Sequence, residues 1–391
     1  MEKKVIKKSD WVSNFTLIGK PVINDYTFKI NERSEKSKWV YNSMNLGVDC
    51  GDAFGVVWAE CMGGYSEENE NRIFAHGKTE NGSDDFNSPI IVDWNDRLND
   101  DILEEIGDLS FFVCGIEKTD KSKVYYKKFL SSYDAIAYIK DHISEDMTVC
   151  VKGNLKYSEY NGNVQVRKNI TYIGLAIDKK TKDFVAPDKY KATFTQSILL
   201  DKDSASLKNI NKDKGVMFVD ARVLDYLKEK DGIEIKGQYP YRKTFEFAMD
   251  FSKEAACKKI MDKLFKIKKG VTQINFDGEF IEGGATTVAT WDDVPDDIKD
   301  LVEMGIYNKE EVLAKCTVNG NRERRMVLRG PSFKMVGDED NKVPVLSIYP
   351  ERYEENDLVL DYLYQNKNDD ESSFSAEEET PDDSMSWLNA L

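Results

Sequence analysis

Residues 147–174 read MTVCVKGNLKYSEYNGNVQVRKNITYIG, and the alternation inside them decides the fold. Val149, Val151, Gly153, Leu155 and Tyr157 fall on one side of a strand, with Cys150, Lys152, Asn154 and Lys156 on the other, because successive strand side chains point to opposite faces. Asn161 and Gly162 predict the turn, since both central residues of a type I′ turn need positive φ. The return strand alternates through Val164, Val166, Lys168, Ile170 and Tyr172. The product is a β-hairpin with an aromatic and cationic face, in a 391-residue chain of formal net charge −16.

Working outward, SSYDAIAYIKDHI (131–143) predicts a helix just before the hairpin, from the Ser131/Asp134 capping spacing and the stripe of Ile136, Ile139 and Ile143. Upstream, residues 11–23, 38–49 and 53–64 read as strands, and 65–128 as a long acidic interruption with a few apolar runs. Three strands, a helix and two strands is the order of the OB-fold, a five-stranded Greek-key barrel. The order recurs. Residues 189–201, 214–227 and 232–251 supply strands, 252–267 a helix with Cys257, Ile260, Met261, Leu264 and Ile267 on one face, and 271–284 a further strand. Aligning Gly153 with Gly278 sets Val149, Val151 and Leu155 over Ile274, Phe276 and Phe280. The expected architecture is therefore mainly β (α+β), with two tandem OB-fold barrels, each with a helix between strands 3 and 4. The first covers residues 1–180 with the insert at about 65–128, and the second 185–290. Residues 291–365 form a helical and strand extension packed on the second barrel. Residues 366–391 have the composition of a disordered acidic tail with an apolar tip.

Composition bounds the function. No run of about 18 apolar residues occurs, and the N-terminal MEKKVIKKSD lacks the apolar stretch of a secretory signal. Six cysteines without a Cys-x-x-Cys pair point to a reduced, cytoplasmic setting rather than to zinc or disulfides. The two histidines, His76 and His142, give little basis for imidazole catalysis. Charge is unevenly spread: 369–391 holds eight acids and no base, whereas 151–195 and 228–275 each carry five more bases than acids. Binding follows local potential within about 10 Å, so the acidic total does not exclude a basic groove.

Single-strand binding needs cations along the phosphates and ring faces for unpaired bases. The first barrel offers Trp39, Tyr41, Trp58, Lys152, Lys156, Tyr157, Tyr160, Arg167, Lys168 and Tyr172; the second offers Tyr239, Tyr241, Arg242 and Lys243 from GQYPYRKTFEF. Alternation leaves open whether Tyr157, on the side of Val149, Val151 and Leu155, is core or surface; Tyr160 lies beside the turn. The lysines of 253–269 read as an ordinary solvated helix face before a phosphate path, and the cluster RERRMVLR equally as an ion-pair partner of the acidic insert or as a DNA contact. In the insert, Asp93, Asp96, Asp100, Asp101, Glu104 and Glu105 resemble nuclease carboxylates only in composition, and no phosphate loop, nucleophile elbow or H-E-x-x-H is present. Neither an enzyme nor a cofactor or metal is expected.

Helix followed by MTVCVKGNLKYSEYNGNVQVRKNITYI resembles the fourth and fifth strands of bacterial and phage single-stranded DNA-binding proteins, in which a V-x-V-x-G-x-L strand leads into a basic, aromatic hairpin. FTLIGKPV is similar to that family's first strand, and the acidic tail with an apolar end to its C-terminal tail. The chain departs in the long insert, the length and the tip DDSMSWLNAL. The resemblance implies a phage-encoded protein of the host cytoplasm that coats single-stranded DNA in replication, recombination and repair. It also implies a tail that recruits a polymerase, helicase or recombinase through Trp387, Leu388 and Leu391. The rival expectations are an OB-fold protein–protein adaptor of a replisome or virion, with the insert as its contact, and a metal-dependent nuclease.

Overall fold

The computed structural model describes residues 6–359 apart from 36, 120–122, 284–285, 288–290, 292–293, 305–306, 310–311, 314–317, 320–322 and 339–340. The architecture is mainly β. The strands of the first half are β1 (Ser13–Val22), β2 (Phe28–Arg33), β3 (Trp39–Asp49), β4 (Val56–Ser66), β5 (Arg72–Lys78), β6 (Asp84–Asp93), β7 (Phe112–Lys118), β8 (Val124–Phe129), β9 (Val149–Tyr160) and β10 (Asn163–Leu175). Helices α1 (Asp100–Glu105) and α2 (Ser132–His142) interrupt them. β1 pairs with β3, β3 with β4, β4 with β10 in parallel, β10 with β9, and β9 with β1 again. That circuit is a closed five-stranded barrel whose order is consistent with the OB-fold. Ser131 caps α2 by accepting the Tyr133 N–H, and α2 buries Ala135, Ile136 and Ile139 against the barrel. The Asn161–Gly162 turn has φ of 48° and 74°, as a type I′ turn requires.

The second half contributes β11 (Lys191–Leu200), β12 (Ala205–Asn211), β13 (Val216–Lys230), β14 (Ile233–Ala248), α3 (Glu254–Ile260) and β15 (Val271–Gly283). The short ladder β16 (Thr286–Thr287) with β17 (Val318–Asn319), helix α4 (Asp296–Glu303), β18 (Glu323–Pro331), β19 (Phe333–Val336), β20 (Val343–Leu346) and β21 (Ile348–Tyr353) follow. β11 meets β13 at Leu199–Arg222, β13 pairs with β14, β14 with β18 in parallel, β18 with β15, and β15 with β11. The strand that completes this circuit, β18, lies beyond the expected boundary at residue 290. The basic run expected as a separate cluster is thus strand material, with Arg325 bound to Glu246 and Arg329 to Glu279. Sequence spacing concealed it because the connection from Gly283 to Glu323 is far longer than a hairpin.

The two circuits meet through their first strands. β1 and β11 run antiparallel with Phe15 opposite Phe194, while Phe15 also faces Gly153 of β9 and Phe194 faces Gly278 of β15. Residues 13–18 of β1 pair with β11 and residues 20–22 with β3; likewise 191–196 of β11 pair with β1 and Leu199 with β13. The arrangement is a pseudo-two-fold centred on the two phenylalanines. Neither aligned glycine has room for a side chain: a Cβ on Gly153 would stand 1.9 Å from the Asn169 carbonyl oxygen, and one on Gly278 2.3 Å from the Phe194 ring.

Buried polar groups lock the halves. Asp225 of β13, 5% exposed, accepts the Tyr157 backbone N–H at 2.8 Å, with Lys8 and Lys156 at 3.6 and 3.8 Å. Lys168 of β10 pairs with Glu282 of β15 and covers the Phe280 ring at 4.7 Å. Glu282 is 3% exposed, and its second carboxylate oxygen has no hydrogen-bond partner among the described residues.

The insert is partly an extension of the barrel. β5 and β6 form a separate hairpin over a small core of Val92, Ile106 and Phe111, whereas β7 joins β10 in parallel and β8 lies on β7. His76 ties its parts together, bonded to Asp84 through Nε2 at 2.7 Å and to Ser110 through Nδ1 at 3.0 Å. No helix among the described residues is long and apolar enough to cross a membrane.

Replacing Lys168 by Met leaves the Glu282 carboxylate buried without a counter-charge, and should lower stability by roughly 3–5 kcal/mol; Lys168→Met with Glu282→Leu should restore most of it. Urea unfolding measures both, and equal losses in the single and double variants would contradict the assignment. Burial also pushes the Cys50 and Cys114 thiols up to about 12 and that of Cys61 up to about 11, from an ordinary 9.0. Each is held protonated by the fold, so its contribution is fully present below about pH 9 and is lost as pH rises toward 12. The urea midpoint should therefore hold from pH 7 to about 8.5 and fall above 9. A thiol reagent at pH 8 should label these cysteines only on unfolding.

Candidate nucleic-acid interface

Strand alternation on a closed barrel gives each residue of the β9–β10 hairpin one of two fates. The outward side carries the rungs Lys152–Tyr172, Asn154–Asn169, Lys156–Arg167, Ser158–Gln165 and, at the tip, Tyr160–Asn163. Lys152 is exposed, with its ammonium 5.3 Å from the centre of the Tyr172 ring. Lys156 and Arg167 are exposed and only loosely paired, each 3.8 Å from a carboxylate, of Asp225 and Glu60 respectively. Tyr160 is 51% exposed. Asn14 and Thr16 of β1 extend the same surface beside Asn154 and Lys152. Five of the expected residues are thus brought onto one face.

Tyr172 has a companion that sequence reasoning missed. Gly174 of β10 lies opposite Gly115 of β7, and the two glycines leave a shallow floor: a Cβ on Gly115 would sit 2.6 Å from the Tyr126 ring, and one on Gly174 2.4 Å from the Tyr172 hydroxyl. Burial, with Tyr126 next, raises the Tyr172 hydroxyl above its ordinary value. On β8, Tyr125, Tyr126, Lys127 and Lys128 are all exposed. The signal was present in the run KVYYKKF, but it sits at the end of a segment whose acidic total masked it.

Trp39, Tyr41 and Trp58 are half-buried on the outward side of β3 and β4. Trp58 lies across Gly47, two residues from Glu60 and hence beside Arg167, whereas Tyr41 and Trp39 stand opposite Gly64 and Ser66 at the far end of the same ladder.

Four expected contacts are corrected. Tyr157 is 4% exposed and donates its hydroxyl to Gln196 at 3.0 Å, so it belongs to the junction between the two halves. Lys168 points inward to Glu282 and has no charge to offer a phosphate. Tyr241 is 1% exposed, with its ring edge-on to Tyr239 at 4.9 Å. Lys243, on the inward row between Tyr241 and Phe245, has its pKa lowered by burial. Alternation in the YPYRK run accounts for the last two, with Tyr241 and Lys243 on the inward row and Arg242 on the outward one. Tyr239 and Arg242 line a cavity between the two halves rather than joining the hairpin face. Trp387, Leu388 and Leu391 lie outside the described residues. Among the described residues no group of three or more His, Cys, Asp or Glu is placed to hold a metal ion, Asp93 and Asp96 included.

A family model described as YorF matches residues 105–273, under half of the chain, from the end of α1 within the insert into β15. No curated protein matches. Among solved structures the chain is similar to the wild-type single-stranded DNA binding protein from Thermus aquaticus, at 8% identity and a TM-score of 0.30, over 70% of this chain and 87% of that one. A deletion mutant of that protein aligns at 9% identity and a TM-score of 0.29, with the same coverage. At such scores the reading of the fold rests on the strand pairings described above.

Proposed function

We propose that the chain is a non-enzymatic single-stranded DNA-binding protein of two tandem OB-folds, acting in replication and recombination with little sequence preference. The observation that supports this best is the outward ladder of the β9–β10 hairpin. There Lys152, Lys156 and Arg167 recur at the strand repeat, and Tyr172, with Tyr126, offers ring surface beside them. Strands 2 and 3 and the loop between strands 4 and 5 are where OB-folds commonly take oligonucleotides. Here those are β3, β4 and the Asn161–Gly162 turn, with Trp58 and Tyr160. Stacking accepts any base, and cations that follow the backbone carry no sequence information. The acidic tail is proposed to recruit partner enzymes and to compete for the same face.

The adaptor reading retains one observation of its own. A surface cavity of about 560 Å³ in the insert is lined by Tyr65 and Trp94 together with Glu67, Glu70 and Asp93, a setting for a partner's cationic side chain.

Fluorescence anisotropy of labelled dT30 against a matched duplex, at two salt concentrations, separates the readings. The expected result is binding of the single strand alone, with log K falling against log salt at a slope of roughly −2 to −3 for three or four neutralised phosphates. Truncation after Asn366 should tighten it. Tyr172→Ala and Tyr126→Ala should each cost about 1–3 kcal/mol of binding. Absence of binding by both the full chain and the truncated one would sink the proposal and leave the adaptor reading.

A further inference from the structure

The cavity between the two halves, about 300 Å³, has an arrangement that the fold alone does not account for. Arg222 of β13 and Arg242 of β14 stand directly opposite one another in the ladder, and both line it. Like charges at opposed positions repel and cost stability unless something between them is negative. Arg222 is met by Asp201 at 3.1 Å, but Arg242 makes no ion pair among the described residues. Lys230 supplies a third cation on the wall, bound to Glu159 of the first barrel's hairpin at 2.7 Å. Glu355 borders the cavity, and Tyr239, with Lys230 4.9 Å from its ring centre, gives it an aromatic side.

We infer that this cavity holds a phosphate ester, with Arg242 as its principal donor, Arg222 as the second and Tyr239 beside the attached base or sugar. A guanidinium fork matches two phosphate oxygens, and an arginine pair on one strand ladder presents donors from two directions. The position fits a strand crossing from the first barrel to the second: Glu159, Gly162 and Val164 on one wall belong to the hairpin whose outward face carries Lys156 and Arg167. The phosphate is therefore assigned to the DNA backbone, and to that extent the inference rests on the proposed function; a free nucleotide is the other source of the same group.

The test uses the full chain, Arg242→Ala and Glu355→Gln, both at exposed positions outside the core. Labelled dT30 is titrated by anisotropy across salt, and thymidine 5′-monophosphate by calorimetry. For a backbone phosphate, Arg242→Ala should weaken dT30 roughly tenfold and reduce the salt slope by about one. Glu355→Gln should tighten binding, an effect of opposite sign that a merely structural role would not give. Micromolar binding of the mononucleotide that disappears in Arg242→Ala, with dT30 unaffected, would keep the phosphate site and assign it to a free nucleotide. Wild-type binding of dT30 that Arg242→Ala leaves unchanged, with no Arg242-dependent mononucleotide binding, would overturn the inference while leaving the proposed function intact. Failure of dT30 to bind the wild type would instead overturn the proposed function, and the mononucleotide titration would then decide the site alone.

Discussion

Phe15 and Phe194 face each other across β1 and β11, and that contact fixes where the other strands lie. Each ring is opposite the partner phenylalanine on one side and a glycine on the other, Gly153 or Gly278. A side chain at either glycine would occupy space already taken, by the Asn169 backbone at Gly153 and by the Phe194 ring at Gly278, so the fourth strand of each circuit is held in its register. β1 is used on both edges: β9 along one, and β11 then β3 along the other. β11 is used the same way, by β15, β1 and β13. Neither first strand keeps a free edge, which removes the commonest template for unwanted strand pairing.

Polar groups then forbid other placements of the two halves. Asp225 accepts a backbone N–H from β9, Gln196 accepts the Tyr157 hydroxyl, and Glu282 meets Lys168. A desolvated pair of this kind adds little net stability over an apolar contact, but a half displaced from its position would leave charges buried and uncompensated. The apolar contacts hold the halves together, and the polar ones select a single registry. The cavity lined by Arg222 and Arg242 follows from that registry, since its walls come from both halves and the C-terminal segment.

Much of this was legible in the sequence, for reasons that also mark where legibility ended. Period-2 alternation and an Asn-Gly turn are local, so the β9–β10 hairpin, its outward cations and the helix capped at Ser131 follow from the residues themselves. The match of Gly153 to Gly278 was legible because both positions lack room for a side chain and lie in strands of the same alternation. Closure by β18 was not, because the pairing partners are separated by the long connection after Gly283, and no local pattern reports a distant partner. Tyr157 was ambiguous because a tyrosine fits either side of a strand, and the neighbouring half, through Gln196, decides that it is covered. Tyr126 was overlooked because a segment's net charge says nothing of the strand at its end.

The remaining step concerns how a chain of net charge −16 can offer a cationic face at all. In the described residues many cations are spent locally: Arg97 on Asp134, Arg325 on Glu246, Arg329 on Glu279, Lys168 on Glu282, each at hydrogen-bond distance. The cations of the outward hairpin differ in kind. The Lys156 and Arg167 side chains are both exposed and sit 3.8 Å from their carboxylates. The Arg167–Glu60 contact, exposed on both sides, is worth at most about 1 kcal/mol and is screened by salt, while Lys156 shares the buried Asp225 with Lys8 and the Tyr157 backbone N–H. Exchanging a weak internal partner for a phosphate therefore costs little, whereas breaking a buried pair costs several kcal/mol. Availability for a ligand is set by how loosely each charge is held, not by the sum over the chain, and on that measure the β9–β10 face and Arg242 are the most available of the sites discussed.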